Sequence, residues 1–444
     1  MPFHRSRGGC KSCKKRKRKC DETRPSCRAC LSKGTSCGGY DIQLRWNPRN
    51  APTSPSSDHG NQLEETHHDS EQTLSDSGMT IQLSPVDVEA DEVDQAFERF
   101  LMSGIHTLYS TTIHEWIKAA MAEASQRSPA LLAACANVQF LLESRMSLKF
   151  HQHFERALQM FQVELYASNR VINGPTLAAG LLHSQGIRWT DHLWCMTDLY
   201  NLHGDLANLE SETDMFTRHC LEVIGVMDMP NLVLGRNTPS LGFWKRLRRI
   251  QNKWTCFDFH GVEPVSGLPR TLLDISSRIE DTAVETQLWL WGGEIGEFLQ
   301  CHFWDAWRYA ALLDHRHRWR KTPRPANGSL QSVVLPTSTQ LMFRLLSSLE
   351  ALRLGIVQQE NSHLLIAGAT LYPWFVASTA IDMLNNHPEW KAAVNRYRDE
   401  ILASDPSENV RILIEVVTEA QRQGNPSFDA DAAMKERRVE IALF

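Results

Sequence analysis

Long hydrophobic runs are scarce in this 444-residue chain. Residues 1–19 are basic where the apolar core of a secretory signal would lie, so an intracellular, reducing setting is expected. One stretch, residues 361–381, has no Lys, Arg, Asp or Glu, but Asn361, His363, Pro373 and several Ser and Thr interrupt it. It reads as a buried helix pair broken at Pro373 rather than as a membrane span. The body, residues 95–444, also lacks GxGxxG after a strand, GxxxxGK[ST], GxSxG and HExxH, and the chain is not expected to be an enzyme. Strand-like alternation is scarce, and residues 38–97 carry no heptads for a coiled coil. With 42% hydrophobic residues, collagen-like and wholly disordered readings fail.

What is present is unevenly placed. Residues 1–50 hold 14 Lys and Arg against 3 Asp and Glu, and the remainder is net acidic. A basic head on an acidic body points to a polyanionic partner for the head alone. Six of the eleven cysteines lie between Cys10 and Cys37, while Cys135, Cys195, Cys220, Cys256 and Cys301 are scattered. In a reducing setting clustered thiols more often hold metal than pair as disulfides.

The composition divides the chain. Residues 1–9 form a basic arm, residues 10–37 the cysteine block, and residues 38–50 an exit segment. Residues 51–94 hold 11 Asp and Glu, no Lys or Arg and no aromatic residue, which reads as a disordered acidic linker. Residues 95–444 show helical periodicity and read as a large all-helical regulatory domain. Phe150, Phe154, Leu158, Phe161 and Leu165 share one helix face, as do Trp390, Val394, Tyr397 and Ile401. Asp405, Pro406 and Glu408 suggest an N-cap, N1 and N3 ahead of the stripe Val410, Leu413, Ile414 and Val417. The expected fold class is therefore mainly α: a small N-terminal cluster with two short helices, a disordered linker and a large all-α domain.

The cysteine spacing is C-x2-C-x6-C-x6-C-x2-C-x6-C, which contains C-x2-C-x6-C twice, 17 residues apart. Cys10 maps on Cys27, Cys13 on Cys30 and Cys20 on Cys37. Each half supplies three thiolates, one short of a tetrahedral zinc site. Two zinc ions need eight ligand positions, and six thiolates fill them only if two bridge both metals. The repeat makes the bridging pair symmetry-related. A C2H2 finger lacks its His pair here, and a four-cysteine finger leaves Cys20 and Cys37 unexplained. Two Zn²⁺ with six thiolates carry a charge of −2, which neighbouring cations offset.

Residues 10–37 resemble the fungal binuclear zinc-cluster (Zn2Cys6) transcription factors. The six cysteines, the run Lys14-Lys15-Arg16-Lys17-Arg18-Lys19 and Pro25 all match that pattern. The resemblance implies that Cys10 and Cys27 bridge, that the loop with Pro25 reverses the chain and is a candidate for a cis bond, and that double-stranded DNA is the partner. The exit through Gly39, Tyr40, Leu44, Arg45 and Trp46 is similar to a common continuation in that family. More loosely, the remainder resembles the helical fungal-specific transcription factor domain that often follows, at Phe150 to Leu165, at Gly267-Leu268-Pro269-Arg270 and around Pro373. Together these imply a nuclear, sequence-specific regulator of RNA polymerase II genes that works with the transcription machinery. No membrane partner is expected.

Six consecutive cations pinned beside a zinc site invite an anion. On a helix, positions 14, 17 and 18 share a face. By resemblance Lys17 reads a CGG-type triplet from the major groove, and lysine donors suit guanine O6 and N7. Lys14, Lys15, Arg16, Arg18 and Lys19 are assigned to phosphates, and Arg5 and Arg7 are candidates for outer contacts. The run also suits nuclear import. In the body, Lys245, Arg246, Arg248 and Arg249 read as a solvated helix face, and His315-Arg316-His317 as a surface turn. Trp289, Trp291, Trp304 and Trp307 read as core packing. The alternative is that they line a pocket for a small apolar effector, which would make the protein a ligand-gated regulator. Without a coiled coil in the head, any homodimer is expected through the helical body.

Overall fold

A computed structural model of the chain describes residues 10–16, 18–21, 27–35, 37, 90–111, 115–144, 147–167, 173–183, 189–204, 206–254, 261–319, 333–358, 366–405 and 407–444. They belong to two compact units, one within residues 1–82 and one within 83–444. Pro25, the exit segment 38–50 and the linker as far as residue 89 lie outside the described residues, as does Cys256.

Among the described residues the first unit has two short helices, α1 (Lys11–Lys15) and α2 (Arg28–Leu31). Helices of five and four residues do not persist alone, because nucleation costs more than so few hydrogen bonds return. The unit's buried cluster consists of Cys10, Cys13, Cys20, Cys27 and Cys30, with Ala29 and Cys37 at its edge. Its stability has to come from whatever those thiols bind.

The second unit is helical almost throughout. Its first half runs through α3 (Ala90–Met102), α4 (Glu115–Arg127), α5 (Pro129–Ser144), α6 (Leu148–Ala167), α7 (Gly174–Leu182), α8 (Trp189–Leu199), α9 (Met215–Met227) and α10 (Phe243–Gln251). Its second half runs through α11 (Arg270–Ser276), α12 (Val284–Leu290), α13 (Phe298–Trp319), α14 (Ser338–Ile356), α15 (Leu371–Thr379), α16 (Ile381–Asn386), α17 (Pro388–Ser404), α18 (Glu408–Gln423) and α19 (Ala430–Arg437). One two-residue antiparallel pair, β1 (Val233–Leu234) with β2 (Ile441–Ala442), ties the C-terminus to the middle of the chain. The helical body begins at Ala90, so the last five residues expected to be linker are helical. Asp91 and Glu92 occupy its first turn, where carboxylates suit the positive end of the helix dipole.

The expected apolar faces turn to the core, with Phe154, Leu158, Leu165 and Trp390 half-buried. Phe150 and Phe161 are buried on α6, Val394, Tyr397 and Ile401 on α17, and Val410, Leu413, Ile414 and Val417 on α18. Trp304 and Trp307 lie in the core, donating to Gly267 O at 2.9 Å and Ala369 O at 3.0 Å. Trp289 and Trp291 pack against its margin.

Four local expectations need correction. Helix α18 starts later than expected: Ser407 is its N-cap, accepting from Val410 N, and Asp405 instead accepts from Ser407 N at 2.9 Å. Pro373 does not break a helix pair. It is the third residue of α15, within the first turn, where a missing N–H costs no intrahelical bond. His315 to His317 are no surface turn but part of α13, with His315 buried and its Nδ1 2.8 Å from Ile279 O. Nor is the basic cluster on α10 a wholly solvated face. Arg248 is buried and forks onto Asp274 at 2.8 and 3.0 Å, and Arg246 donates to Leu202 O and Gly204 O. Of these groups Arg248 joins the two halves of the body, from α10 to Asp274 on α11, while Arg246 and His315 bond within their own halves.

That junction is polar at its centre. One apolar cluster is built largely from α3 to α10, the other largely from α11 to α19. Between α9 and α11, Arg270 forks onto buried Glu222 with both bonds at 2.7 Å, and Gln251 donates to the same carboxylate at 2.9 Å. The turn that delivers Arg270 needs Gly267, whose φ is +69° and whose Cβ would meet Ser110 O at 2.8 Å. Glu222→Ala is expected to cost about 3–5 kcal/mol, because it leaves a buried guanidinium without its carboxylate. Replacing Glu222 and Arg270 together by Met should cost less than that, as read by denaturant unfolding followed through tryptophan fluorescence.

Candidate metal centre and nucleic-acid interface

Six thiols converge in the first unit. Five of them are at most 5% exposed, and Cys37 is half-buried. The sulfurs form two groups of four, Cys10, Cys13, Cys20 and Cys27, and Cys10, Cys27, Cys30 and Cys37. Within each group the ligand atoms lie within 4.8 Å of one another, and Cys10 and Cys27 belong to both.

The distances favour metal over disulfide. Cys10 and Cys27 Sγ are 3.6 Å apart, Cys13 and Cys27 3.7 Å, and Cys10 and Cys30 3.8 Å. A disulfide needs about 2.05 Å. A tetrahedron with metal–sulfur bonds of about 2.3 Å places its sulfurs about 3.8 Å apart. The donor set is all thiol, buried except at Cys37, and tetrahedral in count, which suits structural Zn²⁺. Burial pushes the Cys10 thiol up to about 12 and Cys27 higher still, so both keep their protons unless a cation is close. A bound Zn²⁺ supplies that charge and the bonds that close the fold. The two four-cysteine sites imply two Zn²⁺ per chain.

The local backbone serves the thiols. Cys13 N points at Cys10 Sγ at 3.3 Å, and Cys10 N at Cys20 Sγ at 3.5 Å. Cys27 is the N-cap of α2 in an extended conformation, and its side chain makes no cap hydrogen bond. The capping falls to Asp21, whose carboxylate accepts from Arg28 N and Ala29 N, both at 3.0 Å. Sequence reasoning missed Asp21. The available signal was an acidic residue directly after the third cysteine, in a block with few others.

The basic run is only partly a helix. Helix α1 ends at Lys15, and Arg18 N closes onto Cys13 O at 3.0 Å, a six-to-one turn common at helix C-termini. The chain must leave the helix there to return Cys20 to the cluster. The described helix therefore stops short of position 18, and position 17 of the expected shared face lies outside the described residues. Lys15, Arg18 and Lys19 are exposed, while Arg16 is half-buried and turned onto the cluster. Lys17, Arg5 and Arg7 lie outside the described residues, and so does the side chain of Lys14.

Comparison with known proteins follows this geometry. The family model of the fungal Zn(2)-Cys(6) binuclear cluster domain matches residues 8–47. The chain is 48% identical over 48 residues to the aspercryptin biosynthesis cluster-specific transcription regulator of Emericella nidulans, covering 11% of this chain and 8% of that protein. It is 53% identical over 38 residues to arginine metabolism regulation protein II of Saccharomyces cerevisiae, covering 9% and 4%. It is 38% identical over 56 residues to the acriflavine sensitivity control protein acr-2 of Neurospora crassa, covering 12% and 9%. The matches thus span less than a tenth of each relative's length. No solved structure matches the chain significantly, and no family model supports the resemblance of the body to a fungal-specific domain.

The zinc content makes a direct test. The full chain should carry two zinc ions by elemental analysis, and chelator should abolish the circular dichroism and protection of the cluster. One ion per chain would contradict it. Cys10→Ala or Cys27→Ala should disturb both metals, and Cys13→Ala mainly one. Six thiols in two edge-sharing groups, the matching family model and the aligned regulators lead to one conclusion: residues 8–47 are a fungal Zn2Cys6 binuclear-cluster DNA-binding domain.

Proposed function

We propose that the protein is a nuclear, sequence-specific regulator of RNA polymerase II genes, in which the zinc cluster reads a CGG-type triplet and the helical body regulates or dimerises. The observation that carries this reading is the placement of exposed Lys15, Arg18 and Lys19 on a cluster whose family binds DNA. In this reading Cys10 and Cys27 bridge the two zinc ions. Lys17 contacts the base edges, and Lys14, Lys15, Arg18 and Lys19 contact phosphates, with Arg5 and Arg7 at the outer edge. Arg16 was expected among the phosphate contacts too, but its guanidinium is engaged within the cluster. The basic run serves nuclear import, and a homodimer and the transcription machinery are partners of the body.

A second reading, an effector-gated regulator, has one observation behind it. A cavity of about 620 Å³ opens in the body beside β1, the end of α13, α15 and α19, lined among others by Leu234, Arg236, His317, Phe375 and Asp429. Trp289, Trp291, Trp304 and Trp307 are not among its described lining residues. Its mixture of apolar and charged side chains suits an amphipathic ligand better than a wholly apolar one.

Binding measurements separate the roles of the cations. Lys17→Ala should weaken specific binding by about 1–3 kcal/mol and flatten the preference for the triplet. Lys15→Ala should weaken all sequences alike and lower the salt slope by about one unit. Equal loss of specific and non-specific binding in both variants would show the roles to be wrongly assigned. Sedimentation tests the architecture: residues 1–94 should be monomeric, since no heptads follow the cluster, and a stable dimer of that fragment would refute the dimerising role of the body.

A further inference from the structure

Arg16 sits within the basic run, yet its guanidinium faces inward. Its Nη2 lies 3.0 Å from Cys30 Sγ and, more remotely, 4.0 Å from Cys13 Sγ. Its Nη1 lies 3.2 Å from Thr35 Oγ1, and its Nε donates to Ser12 O at 3.1 Å. Thr35 is itself anchored, because its hydroxyl and its backbone N–H both reach Cys30 O, at 3.3 and 3.1 Å. One side chain thus joins the end of α1 to a thiol and a loop in the other half of the repeat.

The repeat provides an internal comparison. Arg16 stands three residues after the first CxxC pair, and Lys33 stands three after the second. Lys33 is exposed. The inward cation is therefore placed asymmetrically. It belongs by sequence to the half holding Cys13 and Cys20, but its shortest contact is to Cys30, which belongs to the group with Cys10, Cys27 and Cys37.

The chemistry fits a planar, always-charged fork. Six thiolates and two Zn²⁺ leave two negative charges in a site buried except at Cys37. A guanidinium offers several fixed N–H directions, so it can donate to a thiolate and a hydroxyl at once, and a lysine ammonium cannot match that geometry. Partners that hydrogen-bond metal ligands hold those ligands in orientation, and their loss typically costs 10–100-fold in metal affinity.

We propose that Arg16 is a positioning residue of the zinc cluster rather than a phosphate contact, holding the Cys30 thiolate and locking the two halves of the repeat together. This rests on the two-zinc reading of the cysteines. Counting zinc on the unaltered chain tests that reading separately: fewer than two ions overturns both.

The experiment uses the full zinc-loaded chain and measures three things. Zinc release to a chromophoric chelator is timed, ¹¹³Cd spectra are recorded after metal exchange, and the salt dependence of binding to duplex DNA is determined. Arg16→Ala should release zinc roughly 10-fold faster or more. Its ¹¹³Cd spectrum should change mainly at one of the two resonances, and its salt slope should stay that of the unaltered protein. Lys15→Ala should show the reverse, with normal zinc release and a slope lowered by about one unit. Arg16→Lys should recover only part of the loss. Thr35→Val, which keeps every charge and removes one acceptor of the fork, should speed zinc release in the same direction but less. It also decides the matter if Arg16→Ala fails to load metal at all. Unchanged zinc release in Arg16→Ala, or a salt slope lowered by a unit, overturns the proposal. Full recovery by Arg16→Lys, or unchanged release in Thr35→Val, overturns the fork.

Discussion

Two tetrahedral groups of four can be drawn from six cysteines only if they share two members, and every feature of the N-terminal unit answers to that constraint. Cys10 and Cys27 are the shared pair, with their sulfurs 3.6 Å apart at the centre of a cluster that contains almost nothing else buried. Among the described residues of this unit no aliphatic side chain forms a core, so they gain little from the hydrophobic effect. Metal–thiolate bonding replaces it, and the surrounding backbone is arranged accordingly. Helix α1 holds its turns only as far as Lys15 and then unwinds so that Cys20 can return. Helix α2 begins at Arg28 because the Asp21 carboxylate reaches across to its first N–H groups. Neither helix has the length to exist apart from the cluster.

The same constraint divides the cations. A closed cluster carrying two negative charges attracts positive charge, and so does a nucleic acid outside it. In the proposed function the run from Lys14 to Lys19 serves both demands with different residues. Arg16 is turned onto Cys30, while Lys15, Arg18 and Lys19 face solvent. On the proposed reading, charge neutralisation within the cluster and phosphate contact outside it are drawn from adjacent positions. The sum of charge over residues 1–50 describes attraction to a polyanion, but it does not say which side chains remain to meet it.

The helical body solves a different problem. Two apolar clusters, one on each side of α9 to α11, meet through a polar link of Glu222, Arg270, Gln251, Arg248 and Asp274. Such links add specificity of packing more readily than raw stability, since charges must be stripped of water to form them. The C-terminal residues fasten the assembly again. Ile441 and Ala442 pair with Leu234 and Val233, and the buried Glu440 carboxylate accepts from Thr190 N, Thr190 Oγ1 and Asn237 N. Contacts that span some 200 or 250 residues of sequence close the body.

How much of this was legible depended on whether a residue's role is set by its neighbours in sequence. The six cysteines declare themselves because tetrahedral zinc chemistry restricts both ligand type and number, so their spacing alone led to two metals and a shared pair. The helix faces of α6, α17 and α18 were legible because a period of 3.6 residues is a local property. Pro373, His315 and Arg248 were misread for the opposite reason. Whether a proline breaks a helix depends on which turn it occupies, and whether a histidine or arginine is solvated depends on what folds over it. Asp21 and Arg16 act on residues 7 to 19 positions away, and Arg270 on one 48 away. Composition and spacing determined that this chain binds metal and carries a basic head suited to a polyanion, and the resemblance of the cysteine block named that polyanion as DNA. Only the folded chain decided which cation turns inward and which carboxylate caps or pairs, because hydrogen bonds act over about 3 Å of space and distance along the sequence does not measure it.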